Sequence, residues 1–315
     1  MGTDDRVISL VVEPLDTNMY ETIVVPTDGS EYAKRAAGHA AAVAAAFDAT
    51  VHVVSVVDED AASSVFERGG VDDETRERLR EEGEQALRTT ESALDDVERV
   101  ETALVEGHAT ESIVGYADEV NADLLVMGTH GRTGVDRYVA GSVTERVLRR
   151  THVPVLTVRD LEAARTLEEY EHVLVPTDGS EDANVAVEHA LALAAVGGAT
   201  VHAVNVVDVS SLAASAGEAP ATELLEQFEA AGEDATTEVA RRAREAGLAA
   251  ETAVLKGSPG HALLEYVEDE DVDLVTMGTT GRTGLDRYLL GSTTERVVRH
   301  ADAPVLAVNT RNGDD

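Results

Sequence analysis

Two fifteen-residue segments hold the residue types best suited to chemistry: GTHGRTGVDRYVAGS at 128–142 and GTTGRTGLDRYLLGS at 278–292. Gly128, Gly131 and Gly141 in the first, and Gly278, Gly281 and Gly291 in the second, let an anion approach the backbone with no Cβ in the way. Ser142 and Ser292 follow at once and open stretches with helical patterning. The first amides of a helix have no acceptor within it, and its dipole favours negative charge there. Arg132 and Arg282 bring a cation to each segment, and Thr144 a further hydroxyl. These types in this order suit phosphate oxygens. Turn glycines followed by an N-capping serine are the plainer alternative. Retention of the spacing in both segments favours the ligand.

A site of this kind needs elements to carry it, and the chain writes them twice at an offset of 150. VVPTDGSE at 24–31 returns as LVPTDGSE at 174–181, and VHVVSVVD at 51–58 returns as VHAVNVVD at 201–208. From 128–158 to 278–308, 20 of 31 positions are identical. A period this long is a duplicated domain and not a solenoid unit. Within one copy the patterning predicts strands at 22–27, 50–57, 100–105, 123–128 and 154–158. Helices are expected at 30–48, 72–98, 110–120 and 142–150, with a loop at 58–71. Near-continuous apolar strands alternating with amphipathic helices specify a parallel sheet covered on both faces. The fold class is therefore α/β: two tandem Rossmann-like, doubly wound domains, each with a five-stranded parallel sheet flanked by helices. The expected boundaries are an extension at 1–18, domains at 19–158 and 169–309, a linker at 159–168 and a tail at 310–315. Because Met19-Tyr20-Glu21 aligns with Glu169-Tyr170-Glu171, Met19 is a candidate natural start.

In such sheets ligands lie beyond the carboxyl ends of the strands, where the strand order reverses. Val24-Val25-Pro26-Thr27-Asp28 delivers a carboxylate to that end, and Asp178 repeats it. The strand through Val56 ends there too.

Composition narrows the partners. The chain has 61 Asp+Glu against 25 Lys+Arg, a formal net charge of −36, and only Lys34 and Lys256 are lysine. Such a field repels phosphate-dense polymers, so nucleic acid is excluded as a direct partner. Acid-rich, lysine-poor surfaces resemble those of salt-in halophiles, and molar salt is expected to be needed for folding, since it shortens the Debye length to about 3 Å. A polyphosphate ligand would need a local positive pocket and a shared divalent cation. There is no cysteine, which removes disulfides and thiolate metal sites. Without a leader or a bilayer-length apolar run, a soluble, cytoplasmic protein with no membrane partner is expected.

The spacing Gly128-x2-Gly131-x9-Gly141-Ser142, the opening VVPTDGSE and the final strand PVLTV together resemble the universal stress protein (UspA-like) family, and Gly278-x2-Gly281-x9-Gly291-Ser292 repeats the signature. The chain thus resembles a tandem universal stress protein of a halophilic archaeon. The resemblance implies ATP, with Mg or Mn on its phosphates. It implies that Asp28 holds the ribose, that the Val56 backbone reads adenine, and that the glycines and Ser142 take the phosphates. The first set is Pro26, Thr27, Asp28, Val56, Gly128, Gly131, Arg132, Gly141, Ser142 and Val143. The second is Pro176, Thr177, Asp178, Val206, Gly278, Gly281, Arg282, Gly291, Ser292 and Thr293. His130 becoming Thr280, and Val143 becoming Thr293, could make the two affinities unequal.

The resemblance also implies that the final strands pair, making a pseudo-dimer within one chain and leaving a further homodimer and an unidentified protein partner open. The expected role is stress-response regulation. A slow ATPase or nucleotide-transferring enzyme is the alternative, with Asp28, Asp178 and His130 as its only plausible bases; a scaffold with vestigial pockets is another. The pairs His39/His189 and His52/His202 read as packed or half-buried. No metal-ligand spacing occurs, so no dedicated metal site is expected. In GSPGH at 257–261, Ser258 reads as an N-cap before Pro259 at the first helical position.

Overall fold

The architecture is taken from a computed structural model that describes residues 19–58, 73–129, 142–159, 165–209, 221–279 and 290–309. The expected 1–18 extension, the 310–315 tail, nearly all of the 58–71 loop and the middle of each glycine segment lie outside them.

The first copy runs β1 (Thr22–Pro26), α1 (Glu31–Phe47), β2 (Thr50–Val57), α2 (Asp73–Glu91), β3 (Val100–Glu106), α3 (Ala109–Glu119), β4 (Leu124–Gly128), α4 (Ser142–Arg150) and β5 (Val155–Val158). A 3-10 turn at Leu167–Glu169 leads into the second copy: β6 (His172–Pro176), α5 (Glu181–Gly197), β7 (Thr200–Asp208), α6 (Ala221–Glu245), β8 (Ala250–Gly257), α7 (Pro259–Asp269), β9 (Leu274–Gly278), α8 (Ser292–His300) and β10 (Val305–Val308). Local chemistry sets the helix ends. The Ser30 and Ser180 hydroxyls accept the amides of Ala33 and Ala183 at 3.3 and 3.2 Å, and Asp48 and Gly198 close the same helices in the left-handed region.

One expected end differs. The helix predicted over 72–98 stops at Glu91, because the Leu94 amide turns back to the Glu91 carbonyl and Leu94 drops into the core. Asp95 and Asp96, both weak helix formers, follow it. At α7, Ser258 is the N-cap and Pro259 opens the helix as expected, although the Ser258 side chain makes no capping bond.

The strand order is β3-β2-β1-β4-β5-β10-β9-β6-β7-β8. Each copy is a parallel five-stranded sheet, and β5 meets β10 antiparallel, with Leu156 opposite Leu306. The expected pairing through the final strands is therefore present, and one ten-stranded sheet crosses both copies. Alternate strand residues feed two cores that also run through both copies. Ile23, Val25, Val51 and Val126 face α1, α2 and their repeats, whereas Val24, Val54, Leu125 and Met127 face α3, α4 and theirs.

Side chains reinforce this joint on both faces in near two-fold pairs. The Tyr20 hydroxyl lies 2.7 Å from Nδ1 of His189, and Tyr170 reaches Nδ1 of His39 at 3.4 Å. On the other face Arg149 and Arg299 each bridge Glu145 and Glu295, at 2.9–3.2 Å. Arg159 donates to the Ala301 carbonyl at 3.3 Å, and Asn309, its repeat partner, donates to that of Thr151 at 2.9 Å. Burial pulls the Glu145 carboxyl upward, but its hydrogen bonds to Arg149 and Arg299 outweigh that and hold it below the usual carboxylate range.

Candidate functional site

The order 3-2-1-4-5 places the reversal between β1 and β4, so the crevice of each copy lies over the tips of those strands. Asp28 and Asp178 stand there, half-buried, just beyond Pro26 and Pro176. Oδ1 of each accepts the amide two residues on, Ser30 or Ser180, at 3.0 Å, which fixes the carboxylate against the start of α1 or α5. The hydroxyls of Thr27 and Thr177 are engaged within the fold. Thr27 Oγ1 accepts the Gly29 amide at 3.0 Å and lies 2.6 Å from Thr90 Oγ1; Thr177 Oγ1 accepts from Gly179 at 3.2 Å.

The register explains how Val56 could read a base. β1 pairs with β2 only from Thr22–Thr50 to Pro26–Val54, and the Thr27 amide then takes the Val54 carbonyl. Val54 thus points its polar groups at β1, and alternation makes Val56 do the same. By then β1 has ended, while Val57 on the other side gives its carbonyl to Gly107. Val56 offers an N–H and a C=O side by side at the open rim, the complement of a purine edge. Val206 is placed likewise, since Thr177 takes the Val204 carbonyl.

Gly128 ends β4 under the first turn of α1. A Cβ there would meet the Tyr32 backbone at 2.9 Å, so this glycine serves close packing of helix on strand whatever binds above. At Gly278 the corresponding distance, to Asp182, is 3.2 Å. The Thr144 hydroxyl, expected to face phosphate, donates instead to the Gly128 carbonyl at 2.8 Å; Thr294 repeats this at 2.9 Å on Gly278. Each bond ties a helix start to a strand tip.

Ser142 and Ser292 are the first residues of α4 and α8, with Val143 and Thr293 next. Gly291 is the N-cap of α8 and makes no side-chain cap, while its amide donates to the Thr279 carbonyl at 2.8 Å and its carbonyl accepts from Glu295 at 2.8 Å. The first turn of α8 therefore has no side-chain oxygen from its own cap, which leaves its amides suited to an anion. Gly131, Arg132, Gly141, Gly281 and Arg282 lie outside the described residues. In each copy the described residues bring together a strand-tip carboxylate, an unpaired backbone edge and a helix N-terminus. That set fits the ribose, base and phosphates of a nucleotide.

A second constellation escaped sequence reasoning. His202, Glu251 and Glu270 converge at the amino ends of β7 and β8. Separated by 49 and 19 positions in the chain, they form no motif, and only the sheet register with the C-terminus of α7 brings them together.

A model of the universal stress protein family matches residues 19–159 and 169–309. Universal stress protein MJ0531 of Methanocaldococcus jannaschii is 40% identical over 143 residues, covering 45% of this chain and 84% of its own. The crystal structure of a universal stress protein from Archaeoglobus fulgidus covers 94% of this chain and 100% of its own, at a TM-score of 0.68 and 22% identity, a likeness of fold. A universal stress protein crystallised in complex with cAMP is 30% identical, covering 44% of this chain and 97% of its own, at a TM-score of 0.33.

Proposed function

We propose that this chain, which belongs to the universal stress protein family through both of its halves, binds one adenine nucleotide in each and works as a nucleotide-responsive regulator. The observation that carries the reading is the open N–H and C=O of Val56 and of Val206, set beside Asp28 and Asp178 where β1 and β6 have ended. The ligand is ATP. Its ribose meets the aspartate, its base the valine backbone, and its phosphates the glycine segment and the first turn of α4 or α8. Gly131, Gly141 and Ser142, with Gly281, Gly291 and Ser292, line the phosphate end, and Arg132 and Arg282 supply the local positive charge. Mg²⁺ or Mn²⁺ on the phosphates offsets the rest of the repulsion from a chain of formal charge −36.

Hydrolysis would need a positioned base and donors aimed at the transition state. Asp28 and Asp178 already spend Oδ1 on a backbone amide, which suits holding a ribose better than accepting a proton. Regulation by binding is therefore favoured over turnover. Titration with ATP·Mg, beside cAMP as a second ligand, tests this with Asp28→Ala plus Asp178→Ala. Loss of ATP binding in the folded double variant is expected. Linear ATP turnover that disappears in that variant would instead favour the enzyme, and unchanged binding would remove the aspartates from the site.

A further inference from the structure

The cluster around His202 lies at the amino ends of the strands, away from the nucleotide crevice, and only in the second copy. His202 is 1% exposed and stands beside Glu251 in the β7–β8 register. Glu270 is the C-cap of α7, whose end reaches the same point. One ligand atom from each of the three lies within 4.8 Å of the others. The ring of His202 is fixed from both sides: Nε2 is 2.9 Å from Nδ1 of His172, and Nδ1 is 2.9 Å from the Tyr266 hydroxyl. Among the described residues neither carboxylate has a Lys or Arg partner.

The first copy is an internal control. It keeps the histidine, the tyrosine and one carboxylate: His52 Nδ1 lies 3.1 Å from the Tyr116 hydroxyl and 3.7 Å from Glu101. It has Thr22 where the second copy has His172, and Val120 where the second has Glu270. Both differences add a metal-ligating side chain, and both add it at this one place.

We propose that His202, Glu251 and Glu270, with His172 beside them, bind one divalent transition-metal ion of the zinc type. An imidazole with two carboxylates suits Zn²⁺ and its neighbours, whereas Mg²⁺ and Ca²⁺ prefer shells of oxygen alone. Bonds of about 2.0–2.2 Å put tetrahedral ligand atoms about 3.4 Å apart. The two carboxylates must therefore draw in, and both are exposed glutamates with rotamers to spare. Binding replaces one of the two contacts of the His202 ring, and the other, to His172 or Tyr266, remains as the outer-shell support a metal-bound histidine uses. The fourth position falls to water or His172.

The test uses the full chain without nucleotide, in constant molar KCl, titrated with Zn²⁺ against a chromophoric chelator. Wild type is expected to take up one Zn²⁺ per chain. His172→Thr plus Glu270→Val, which installs the first copy's residues, should weaken that uptake at least tenfold. Glu101→Ala should leave it unchanged. Co²⁺ should give an intense tetrahedral visible spectrum with wild type alone. Circular dichroism checks that each variant folds, and Glu270→Gln replaces the double variant if it does not. Absence of stoichiometric uptake by wild type, equal uptake by the variants, or an equal loss with Glu101→Ala would overturn the site, the last marking diffuse binding to an acidic surface.

Discussion

The joint between the two copies contains a pH-dependent contribution to stability whose size follows from burial. Burial lowers both His39 and His189 from 6.5 to about 4. A depressed folded value means that the folded state holds the neutral ring. Below pH 6.5 the unfolded chain takes up protons that the folded chain refuses until about pH 4. The stabilisation is whole above pH 6.5 and declines from there to about pH 4. Each lowering corresponds to roughly 3 kcal/mol, so the pair contributes up to about 6–7 kcal/mol at the acid limit. With two protons at stake the slope approaches roughly 3 kcal/mol per pH unit near the middle of the window. Urea unfolding at pH 7.5, 6.5, 5.5 and 4.5 in constant KCl would measure it, with His39→Asn plus His189→Asn as reference. Asparagine keeps a polar atom near the position of Nδ1 for Tyr170 and Tyr20, and the carboxylates common to both chains cancel. The wild type is expected to lose stability on acidification faster than the variant, with the difference growing from pH 6.5 downward. A difference independent of pH would refute the buried, neutral histidines.

Two further outcomes follow from the packing. Gly128→Ala places a Cβ 2.9 Å from the Tyr32 backbone and should cost about 1–3 kcal/mol. Gly278→Ala, with 3.2 Å to Asp182, should cost less; thermal midpoints of the two variants check this, and equal losses would contradict it. Across the joint, a double-mutant cycle of Glu145→Ala and Arg299→Ala should return a coupling of about 1 kcal/mol, because the pair is only a quarter to a third exposed and belongs to a four-residue network. Zero coupling would make the contact incidental.

Much of this architecture is legible in residues. The repeat at 150 announces two copies, and the apolar strands and Ala-rich α1 announce helices over a parallel sheet. The pairing of β5 with β10 came from the resemblance, since an apolar strand does not say which edge it will meet. Local patterning misjudged the end of α2, where Leu94 turns inward, and the role of Thr144, whose hydroxyl is taken up by the Gly128 carbonyl. The Tyr20–His189 and Tyr170–His39 contacts join residues 169 and 131 positions apart, and no periodicity encodes them. The same holds for His202 and Glu251, which are neighbours only because β7 and β8 are in that register. At the proposed nucleotide site the glycine spacing is visible in the sequence, but the reason Val56 has an open backbone edge is not. That depends on β1 ending after five pairs of its ladder with β2.

We propose two nucleotide sites in one chain. The most direct measurement purifies the protein in molar KCl, supplies ATP·Mg, removes the excess, denatures the protein and counts the released nucleotide by chromatography. Near two ATP per chain are expected from wild type, near one from Gly141→Val or Gly291→Val, and none from the two together. No nucleotide from folded wild-type protein, or an undiminished count from the folded double variant, would overturn the two sites.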